Sequence, residues 1–143
     1  MEKGKSTVLI VEDQALNRQI LRHILETEYA VVEASNGREA LDMLQRDSGI
    51  AAILLDIFMP VMDGYAFLQE LAASDYATLP VIVITGEKDQ AAEQKALNLG
   101  AWDFVSKPYQ ANILLLRLKN VIVRSQYYLL SEMQYAYEHD ALT

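Results

Sequence analysis

One stretch near the middle of the chain restricts the fold more than any other. Residues 51–64 read AAILLDIFMPVMDG. Five consecutive apolar residues that run into Asp56 predict a strand covered on both faces, which is typical of a parallel sheet. The Met59-Pro60 and Asp63-Gly64 pairs that follow predict a turn out of the sheet, with Asp63 as the cap of a helix over residues 64–73.

Asp56 is the first candidate for chemistry because of its place at the end of this strand. Open α/β sheets bind their ligands outside the carboxyl ends of the strands. A carboxylate at that end of a central strand is therefore expected to lie at the ligand-binding edge.

Four more apolar segments divide the chain in the same way, and helical patterns separate them at intervals of roughly 20 to 30 residues, the size of a βα unit. The five predicted strands are residues 7–11, 29–34, 51–56, 79–84 and 101–105. The expected fold is a (βα)5 doubly wound parallel sheet with helices on both faces. The mixed polarity of residues 29–34 predicts an edge or near-edge strand.

The helices between the strands have recognisable ends. The first is expected to begin with Asp13 as its cap and to pack Leu16, Ile20 and Ile24 on the sheet, with Leu21 and Leu25 beside them; Arg18, Arg22 and His23 are expected on its wetter side. Asn36-Gly37 turns the chain into the second helix. Gly100 is expected to close the fourth, which starts at residue 89.

The chain after Tyr109 departs from this alternation, because apolar residues continue at helical spacing with no Gly or Pro beyond residue 108. The pattern predicts a long helix that covers the sheet with its first half and projects with its second. Two seven-residue repeats suit pairing with another helix. They are Leu114, Val121, Tyr128 and Tyr135, and Leu115, Ile122, Leu129 and Ala136.

Size and charge narrow the function. The chain has 143 residues, the size of one domain with a short appendage, and its net charge of -8 disfavours nonspecific binding to nucleic acid or to an anionic membrane. The absence of cysteine excludes disulfides and thiol nucleophiles. No segment resembles a signal peptide or a membrane span, so we expect a cytoplasmic protein.

Polar side chains follow four of the predicted strands. They are Glu12 and Asp13 after the first, Asp56 on the third, Thr85 on the fourth and Lys107 after the fifth. With strand order 2-1-3-4-5 these residues converge in one crevice. Three crowded carboxylates need a counter-charge to stay ionised, and Mg2+ with its preference for oxygen ligands would supply it.

The remaining groups fit a phosphoryl reaction at Asp56. An aspartate can act as a nucleophile and become an aspartyl phosphate. Lys107 would then pair with one phosphoryl oxygen, and the Thr85 hydroxyl would donate a hydrogen bond to another.

Four short motifs in this order resemble the receiver domain of bacterial two-component response regulators, which has a CheY-like, flavodoxin-like fold. They are EDQ after strand 1, DIFMPVMDG after strand 3, TG after strand 4 and SKP after strand 5. The resemblance covers residues 5–124. It implies that Asp56 is the phosphoacceptor, and that Glu12, Asp13, Asp56 and the backbone carbonyl of Phe58 bind Mg2+.

The same resemblance implies a switch. Thr85 and Phe104 match a hydroxyl and an aromatic residue that change rotamer on phosphorylation, and Lys107 matches the lysine that binds the phosphoryl group. The Lys107-Pro108 bond is expected to be cis. Two positions depart from the commonest pattern, since Phe58 is bulky and Glu87 places an acid two residues after Thr85. Both flank the path of an attacking water, so the lifetime of the phosphorylated form is left open.

The resemblance also implies a domain organisation and partners. Residues 1–124 are expected to form the receiver, and residues 125–143 a linker helix to an output domain cut at its boundary. A sensor histidine kinase or phosphotransfer protein would donate the phosphoryl group. A homodimer would form through the fourth helix, fifth strand and fifth helix, or through the C-terminal helix, with no direct contact to nucleic acid or membrane.

The last five residues, HDALT, resemble the start of a diguanylate cyclase domain of the GGDEF type. The expected output is therefore a diguanylate cyclase, while the fragment itself is expected to be a regulator rather than an enzyme.

Other interpretations remain open from the sequence. An aspartyl-phosphate phosphohydrolase or phosphotransferase could use a similar sheet, although such enzymes usually carry a second acid where this chain has Phe58. A degenerate receiver could serve only as a dimerisation module. For Thr85 the alternative is a turn-stabilising hydroxyl, and for Phe104 a plain packing residue.

Overall fold

The computed structural model describes residues 4–47, 49–86 and 90–141, and between residues 128 and 141 it describes the side chain of Leu130 alone. Within these residues five strands alternate with five helices. The elements are β1 (Thr7–Val11), α1 (Ala15–Leu25), β2 (Ala30–Ala34), α2 (Gly37–Arg46), β3 (Ile50–Asp56), α3 (Gly64–Ala72), β4 (Val81–Thr85), α4 (Gln90–Asn98), β5 (Asp103–Ser106) and α5 (Ala111–Ala141).

The strands form one sheet in the order β2-β1-β3-β4-β5, and every pair is parallel. The predicted fold class, strand order and edge position of β2 are confirmed. β3 lies at the centre of the sheet, and its residues from Ala52 to Asp56 are buried because helices cover both faces.

Successive side chains of each strand point to opposite faces, which divides the core into two layers. Ile53 and Leu55 of β3 pack with α2, α3 and α4, whereas Ala52 and Leu54 pack with α1 and α5. The polar residues at the carboxyl ends of the strands lie at one edge of the sheet, outside both layers.

Local signals set the helix ends as expected at three places. The side chains of Asn36 and Asp63 accept hydrogen bonds from the backbone N–H groups of Glu39 and Ala66, which caps α2 and α3. Gly100 follows α4 with a φ of 110°. There the backbone reverses and the Ala101 N–H reaches back to the Ala96 carbonyl at 3.0 Å, as in a Schellman motif.

The predicted start of α1 was wrong, and its predicted sheet face is confirmed only for Leu21, Ile24 and Leu25. The helix begins at Ala15 with Gln14 as its cap residue, so Asp13 does not cap it. Leu21 and Leu25 pack on the sheet, whereas Leu16 and Ile20 are exposed.

The rotation of α1 has an electrostatic explanation. Arg18 and Arg22 both form ion pairs with Glu33 on the edge strand β2. These pairs hold one side of α1 against β2. Leu16 and Ile20 consequently turn away from the sheet.

Strands β4 and β5 begin two residues later than predicted, at Val81 and Asp103. Pro80 has no N–H to donate to the ladder, although its carbonyl accepts from Ile53 at 3.0 Å. Ala101 completes the end of α4 and is not available to start β5.

Helix α5 is long, as predicted, and its first half covers the sheet, as predicted. The members of the two seven-residue repeats in that half therefore contact the sheet rather than another helix. Leu114, Val121 and Ile122 are buried against the sheet, and Leu115 is partly buried there. These residues form the core contact of the helix. The side chains of the later members, Tyr128, Leu129, Tyr135 and Ala136, lie outside the described residues. In the part of the chain that the structure describes, no helix has the length and apolar character to cross a bilayer.

Candidate functional site

The strand register brings the predicted site residues to one edge of the sheet. Val11 is the neighbour of Leu55, Asp56 is the neighbour of Ile84, and Thr85 is the neighbour of Ser106. The residues at or just after these four strand ends therefore meet around one crevice. They are Glu12, Asp13, Asp56, Thr85 and Lys107.

Three carboxylates form the floor of the crevice. Glu12, Asp13 and Asp56 each offer an oxygen, and these oxygens lie within 4.8 Å of one another. Glu12 is 2% exposed and Asp56 8% exposed, so two of the three carboxylates have little access to water. Ionised oxygens at this spacing repel one another unless a cation lies among them, and an all-oxygen donor set suits a hard divalent ion such as Mg2+.

The electrostatics of the crevice disfavour bare negative charge. Burial raises the pKa of Asp56, and the charge of Asp13 raises it further. Lys107 and the backbone N–H groups of Phe58 and Ile57 act in the opposite direction. Burial, followed by the charge of Asp56, likewise raises the pKa of Glu12. Lys107 and the backbone N–H groups therefore do not fully offset the cost of burying these negative charges.

Glu12 is fixed in place by residues that the motifs did not reveal. Its carboxylate accepts hydrogen bonds from the backbone N–H of Gln14 at 3.2 Å and the side-chain amide of Asn17 at 3.4 Å. Arg18 donates to the Glu12 carbonyl at 2.7 Å. No sequence signal marks Asn17 or Arg18, because both roles depend on the fold of the β1–α1 turn.

Thr85, the last residue of β4, has a buried hydroxyl. Thr85 is 1% exposed, and among the described residues its Oγ1 is a buried side-chain atom that lacks a hydrogen-bond partner. The backbone N–H of Lys107 donates to the Thr85 carbonyl at 2.9 Å, which ties the two residues together. A buried unsatisfied hydroxyl costs stability, so its presence calls for an explanation.

The loop after Asp56 is held by close backbone contacts. The N–H of Gly64 donates to the Ile57 carbonyl at 2.7 Å, and the N–H of Gly37 donates to the Met62 carbonyl at 3.1 Å. Val61 has a φ of 69°, and a hydrogen bond of 2.7 Å between Met62 N–H and the Pro60 carbonyl closes the tight turn around it. This geometry turns the chain sharply away from the crevice.

Two exposed or half-buried aromatic residues border the crevice and β5. Phe58, whose carbonyl was predicted to bind Mg2+, has an exposed side chain. Phe104 is half-buried and packs against the layer that contains α4. It also lines a depression of about 400 Å³ beside β5 and the start of α5. Glu87, the second position that departs from the commonest pattern, lies outside the described residues.

The turn after β5 completes the site. The Lys107-Pro108 bond is cis, as expected. Tyr109, which sequence reasoning did not single out, follows it. Burial raises the pKa of Tyr109, and the charge of Glu12 adds to the effect. The Tyr109 side chain therefore lies close enough to Glu12 for the two groups to interact electrostatically.

Comparisons with known proteins agree on one family. The sequence model described as "Response regulator receiver domain" matches residues 8–119. A curated relative, "Probable transcriptional regulator ycf27" from Porphyra purpurea, is 35% identical over 130 residues, which are 87% of this chain and 51% of the relative. The chain thus spans about half the length of such relatives.

Solved structures have the same fold. A putative response regulator from Chloroflexus aurantiacus superposes with a TM-score of 0.80 at 29% identity, covering 83% of this chain and 98% of the other. A probable two-component response regulator/GGDEF domain protein superposes with a TM-score of 0.79 at 28% identity, covering 84% of this chain and 50% of the other.

Proposed function

Since the chain belongs to the receiver domains of two-component response regulators, we propose that it is a switch operated by phosphorylation of Asp56. One observation carries the proposal. Three carboxylates, the ammonium of Lys107 and an unpartnered Thr85 hydroxyl stand at one edge of the sheet. Metal, lysine and hydroxyl are the groups that stabilise a phosphoryl group on an aspartate.

The metal-binding role falls to Glu12, Asp13, Asp56 and the backbone carbonyl of Phe58. The spacing of the carboxylate oxygens and their burial support this assignment. When bound, Mg2+ neutralises the negative charge that accumulates on the carboxylates and on the phosphoryl oxygens. Without the metal, the three carboxylates repel one another.

In the proposed reaction a phosphohistidine of a sensor histidine kinase or a phosphotransfer protein is the donor. A carboxylate oxygen of Asp56 forms the new O–P bond as the P–N bond breaks. The departing imidazole nitrogen keeps the electron pair and takes a proton. Lys107 pairs with one oxygen of the transferred group, and the Thr85 hydroxyl donates its hydrogen bond to another.

The proposed switch depends on a new hydrogen-bond partner for the Thr85 hydroxyl. Phosphorylation offers its hydroxyl a partner, which favours a rotamer turned toward Asp56. The space that Thr85 leaves lets Phe104 turn inward from its half-buried position. The surface formed by α4, β5 and α5 would then differ between the two states.

This surface and the C-terminal helix are the proposed routes to a homodimer. Residues 1–124 act as the receiver, and residues 125–143 transmit the change toward an output domain. We place the protein in the cytoplasm, where histidine kinases obtain the ATP that charges their histidine. Neither nucleic acid nor membrane is expected to bind this chain directly, since its net charge is -8.

The proposed output is a diguanylate cyclase. Support comes from the HDALT ending and from the fold similarity to a protein described as a response regulator/GGDEF domain protein. Residues 142 and 143 of this ending lie outside the described residues. A chain extended beyond residue 143 tests the assignment by conversion of GTP to a cyclic dinucleotide.

One experiment distinguishes a switch from an enzyme and from an inert scaffold. The chain is mixed with Mg2+ and beryllofluoride, which imitates a phosphoryl group, or with acetyl phosphate. Fluorescence of Trp102, the single tryptophan, and intact mass report binding. A stable adduct with one group per chain supports the switch, and Asp56→Asn should form none. Continuous release of phosphate would indicate an enzyme, and no response would indicate a scaffold.

A further inference from the structure

The Asn36-Gly37 pair, which the sequence predicts as a turn into α2, lies against the loop that follows Asp56. The N–H of Gly37 donates to the Met62 carbonyl at 3.1 Å. This bond joins the segments that follow β2 and β3, although β1 separates these two strands in the sheet. Neither residue of the pair belongs to the crevice, so the contact requires an explanation of its own.

The approach of the two segments is so close that it requires glycine at position 37. Gly37 is buried at the first position of α2. A Cβ atom there would lie 2.8 Å from Met62 Cγ, 3.0 Å from its Sδ and 3.0 Å from its carbonyl oxygen. Carbon atoms in contact prefer a separation of about 3.5–4.0 Å. Any larger residue at position 37 would therefore push Met62 away.

The start of α2 is a firm support for Met62. The Asn36 side chain accepts a hydrogen bond from the backbone N–H of Glu39 at 2.9 Å, and the Glu39 carboxylate accepts one from the Ser35 hydroxyl at 2.7 Å. A helix start leaves several N–H groups without intrahelical partners, and the N–H of Gly37 is one of them. The Met62 carbonyl satisfies it. The loop thus completes the cap of α2, and α2 in return holds the loop.

The same segment also contacts the other side of the crevice. We call residues 34–37 the β2–α2 turn. The Ala34 carbonyl accepts a hydrogen bond from the backbone N–H of Glu12 at 3.0 Å. The turn therefore holds Glu12 at one end and Met62 at the other, through backbone atoms in both cases. Edge strand β2 is in this way connected to both loops that carry the proposed metal ligands.

The β3–α3 loop, residues 57–63, needs a support beyond its base. The bond of 2.7 Å from the Gly64 N–H to the Ile57 carbonyl closes the base, and Phe58 lies between this bond and Met62. Val61, next to Met62, has a φ of 69°. A β-branched residue adopts such a conformation only where surrounding contacts impose it. The bond from Gly37 to Met62 is a contact of this kind.

We propose that Gly37 is a positioning residue for the metal site. By holding Met62 it fixes the β3–α3 loop, and with it the Phe58 carbonyl, relative to Glu12 and Asp56. The inference rests on the proposed function, from which it takes the metal-binding role of Phe58. Gly37 contributes no ligand and acts only through Met62. Residues that orient metal ligands in this indirect way typically account for about 10- to 100-fold in metal affinity.

Calorimetric titration with Mg2+ alone tests the proposal without a phosphodonor. We expect Gly37→Ala to raise the Kd for Mg2+ about tenfold or more. Gly49→Ala, just beyond the other end of α2, is the matched control, because its Cβ would meet the Asp47 side chain at 3.3 Å and that side chain can move. The control should bind Mg2+ as the parent does. Unchanged affinity in a folded Gly37→Ala protein would overturn the proposal.

Met62→Ala separates positioning from a general loss of stability. It removes Cγ and Sδ, two of the three atoms that a Cβ at position 37 would meet. Added to Gly37→Ala, it should recover at least about threefold of the lost Mg2+ affinity, which is half of a tenfold loss on a logarithmic scale. A double variant that binds Mg2+ no better than Gly37→Ala would contradict an action through Met62.

The double variant also covers the case in which Gly37→Ala alone does not fold. It is then compared with Met62→Ala, which differs from it only at position 37. The added Cβ would still lie 3.0 Å from the backbone carbonyl of residue 62. The double variant should therefore bind Mg2+ more weakly than Met62→Ala, and equal affinities would overturn the proposal.

Amide hydrogen exchange in a chelator tests the support of the loop in the absence of metal. The Gly64 N–H should be protected in the parent and should lose protection in Gly37→Ala, while its protection in Gly49→Ala stays unchanged. Equal protection in the parent and in Gly37→Ala would show that Gly37 does not hold the loop.

Labelling of Asp56 by acetyl phosphate distinguishes this inference from the proposed function. Gly37→Ala should need about tenfold more Mg2+ for half-maximal labelling and should reach the parental extent at saturating Mg2+. A parent chain that neither binds Mg2+ nor becomes labelled would refute the proposed function and the metal-site role of Gly37 with it. A parent that is labelled, with the same Mg2+ requirement in Gly37→Ala, would refute the inference alone.

Discussion

Thr85 is a residue whose chemistry conflicts with its surroundings. Its hydroxyl is buried and lacks a hydrogen-bond partner among the described residues. We therefore expect Thr85→Val, which has the same shape, to raise the free energy of unfolding of the unphosphorylated protein by about 1 kcal/mol. Denaturant titration measures this gain. The same variant should accept phosphate more slowly, since the proposed donor to the phosphoryl group is gone.

The converse substitution in the same strand is the control. Val83 is completely buried in β4, and Val83→Thr introduces a hydroxyl where no phosphoryl group is proposed to bind. It should lower the free energy of unfolding by about 1–3 kcal/mol. A Thr85→Val protein that is less stable than the parent would show that the hydroxyl already has a partner.

Val61 stores strain in the turn after the phosphoacceptor. Its φ of 69° is unfavourable for a β-branched residue by about 1–2 kcal/mol. Glycine adopts this conformation freely but loses more backbone entropy on folding. We expect Val61→Gly to raise the free energy of unfolding by about 0.5–1 kcal/mol, as measured by urea titration. Val61→Ala keeps a Cβ atom and should gain less. A loss in the glycine variant would contradict the assignment of strain.

The raised pKa values of Asp56 and Glu12 predict a dependence of stability on pH. A raised pKa means that the folded protein binds the proton more tightly than the unfolded chain. The resulting stabilisation is complete below the ordinary pKa, about 4, and is lost as the pH rises through the raised value. Without metal, Asp56→Asn should therefore raise the melting temperature at neutral pH and have a smaller effect near pH 4.

Melting curves in a chelator at several pH values check this expectation. Asp42→Asn, an exposed carboxylate on α2, removes the same charge and serves as the control. Equal or lower stability of Asp56→Asn at neutral pH would contradict the argument. Added Mg2+ should stabilise the parent protein more than Asp56→Asn, because the variant loses a proposed ligand.

The site residues at the strand ends could be predicted from the sequence, whereas the residues that hold them in position could not. Asp56 and Lys107 follow apolar runs that already predict strands, so their place at one edge follows from parallel topology. Asn17 and Arg18 support Glu12 through a turn whose path no local pattern specifies. The missing hydrogen-bond partner of Thr85 likewise depends on packing between neighbouring strands.

At the scale of elements, Gly64 joins β3 to α3 at the closest approach in the site. A Cβ atom at this position would lie 2.7 Å from the Asp56 carbonyl oxygen and 2.7 Å from Ile57 Cα. Alanine usually stabilises a helix more than glycine does, but at this position the backbone would have to move to make room for its Cβ atom. We expect Gly64→Ala to lower the free energy of unfolding by about 1–3 kcal/mol and to slow phosphorylation by displacing Asp56.

Gly86→Ala is the matched control at the end of β4, since its Cβ would meet no atom of the described residues within 4 Å. It should leave the stability nearly unchanged. Thermal unfolding together with the rate of labelling by acetyl phosphate checks both variants. A Gly64→Ala protein with the stability and labelling rate of the parent would show that the loop adapts without cost.

Periodicity predicted each helix and strand that the structure describes, but it did not fully define which side of α1 and α5 faces the sheet. In α1 the row of apolar residues is wider than the contact surface, and the ion pairs to Glu33 decide the rotation. In α5 two apolar rows coexist, and the sequence alone does not show which one the sheet buries. The structure buries Leu114 and Val121 and leaves Leu116 and Val123 exposed.

At the scale of the whole molecule, strand order makes the site. Placing β1 next to β3 brings Glu12 and Asp13 beside Asp56, although more than forty positions separate them in the sequence. The order β2-β1-β3-β4-β5 then adds Thr85 and Lys107 from the other side. This convergence could be predicted because strand polarity places all carboxyl ends at one edge.

Mapping the labelled residue tests the central claim most directly. The chain is incubated with acetyl phosphate and Mg2+, the acyl phosphate is reduced with borohydride, and peptides are analysed by mass spectrometry. We expect one modified residue, Asp56, with labelling abolished in Asp56→Asn and strongly reduced by a chelator or in Lys107→Ala. Labelling of Asp56→Asn as readily as the parent, or labelling indifferent to Mg2+, would contradict the account.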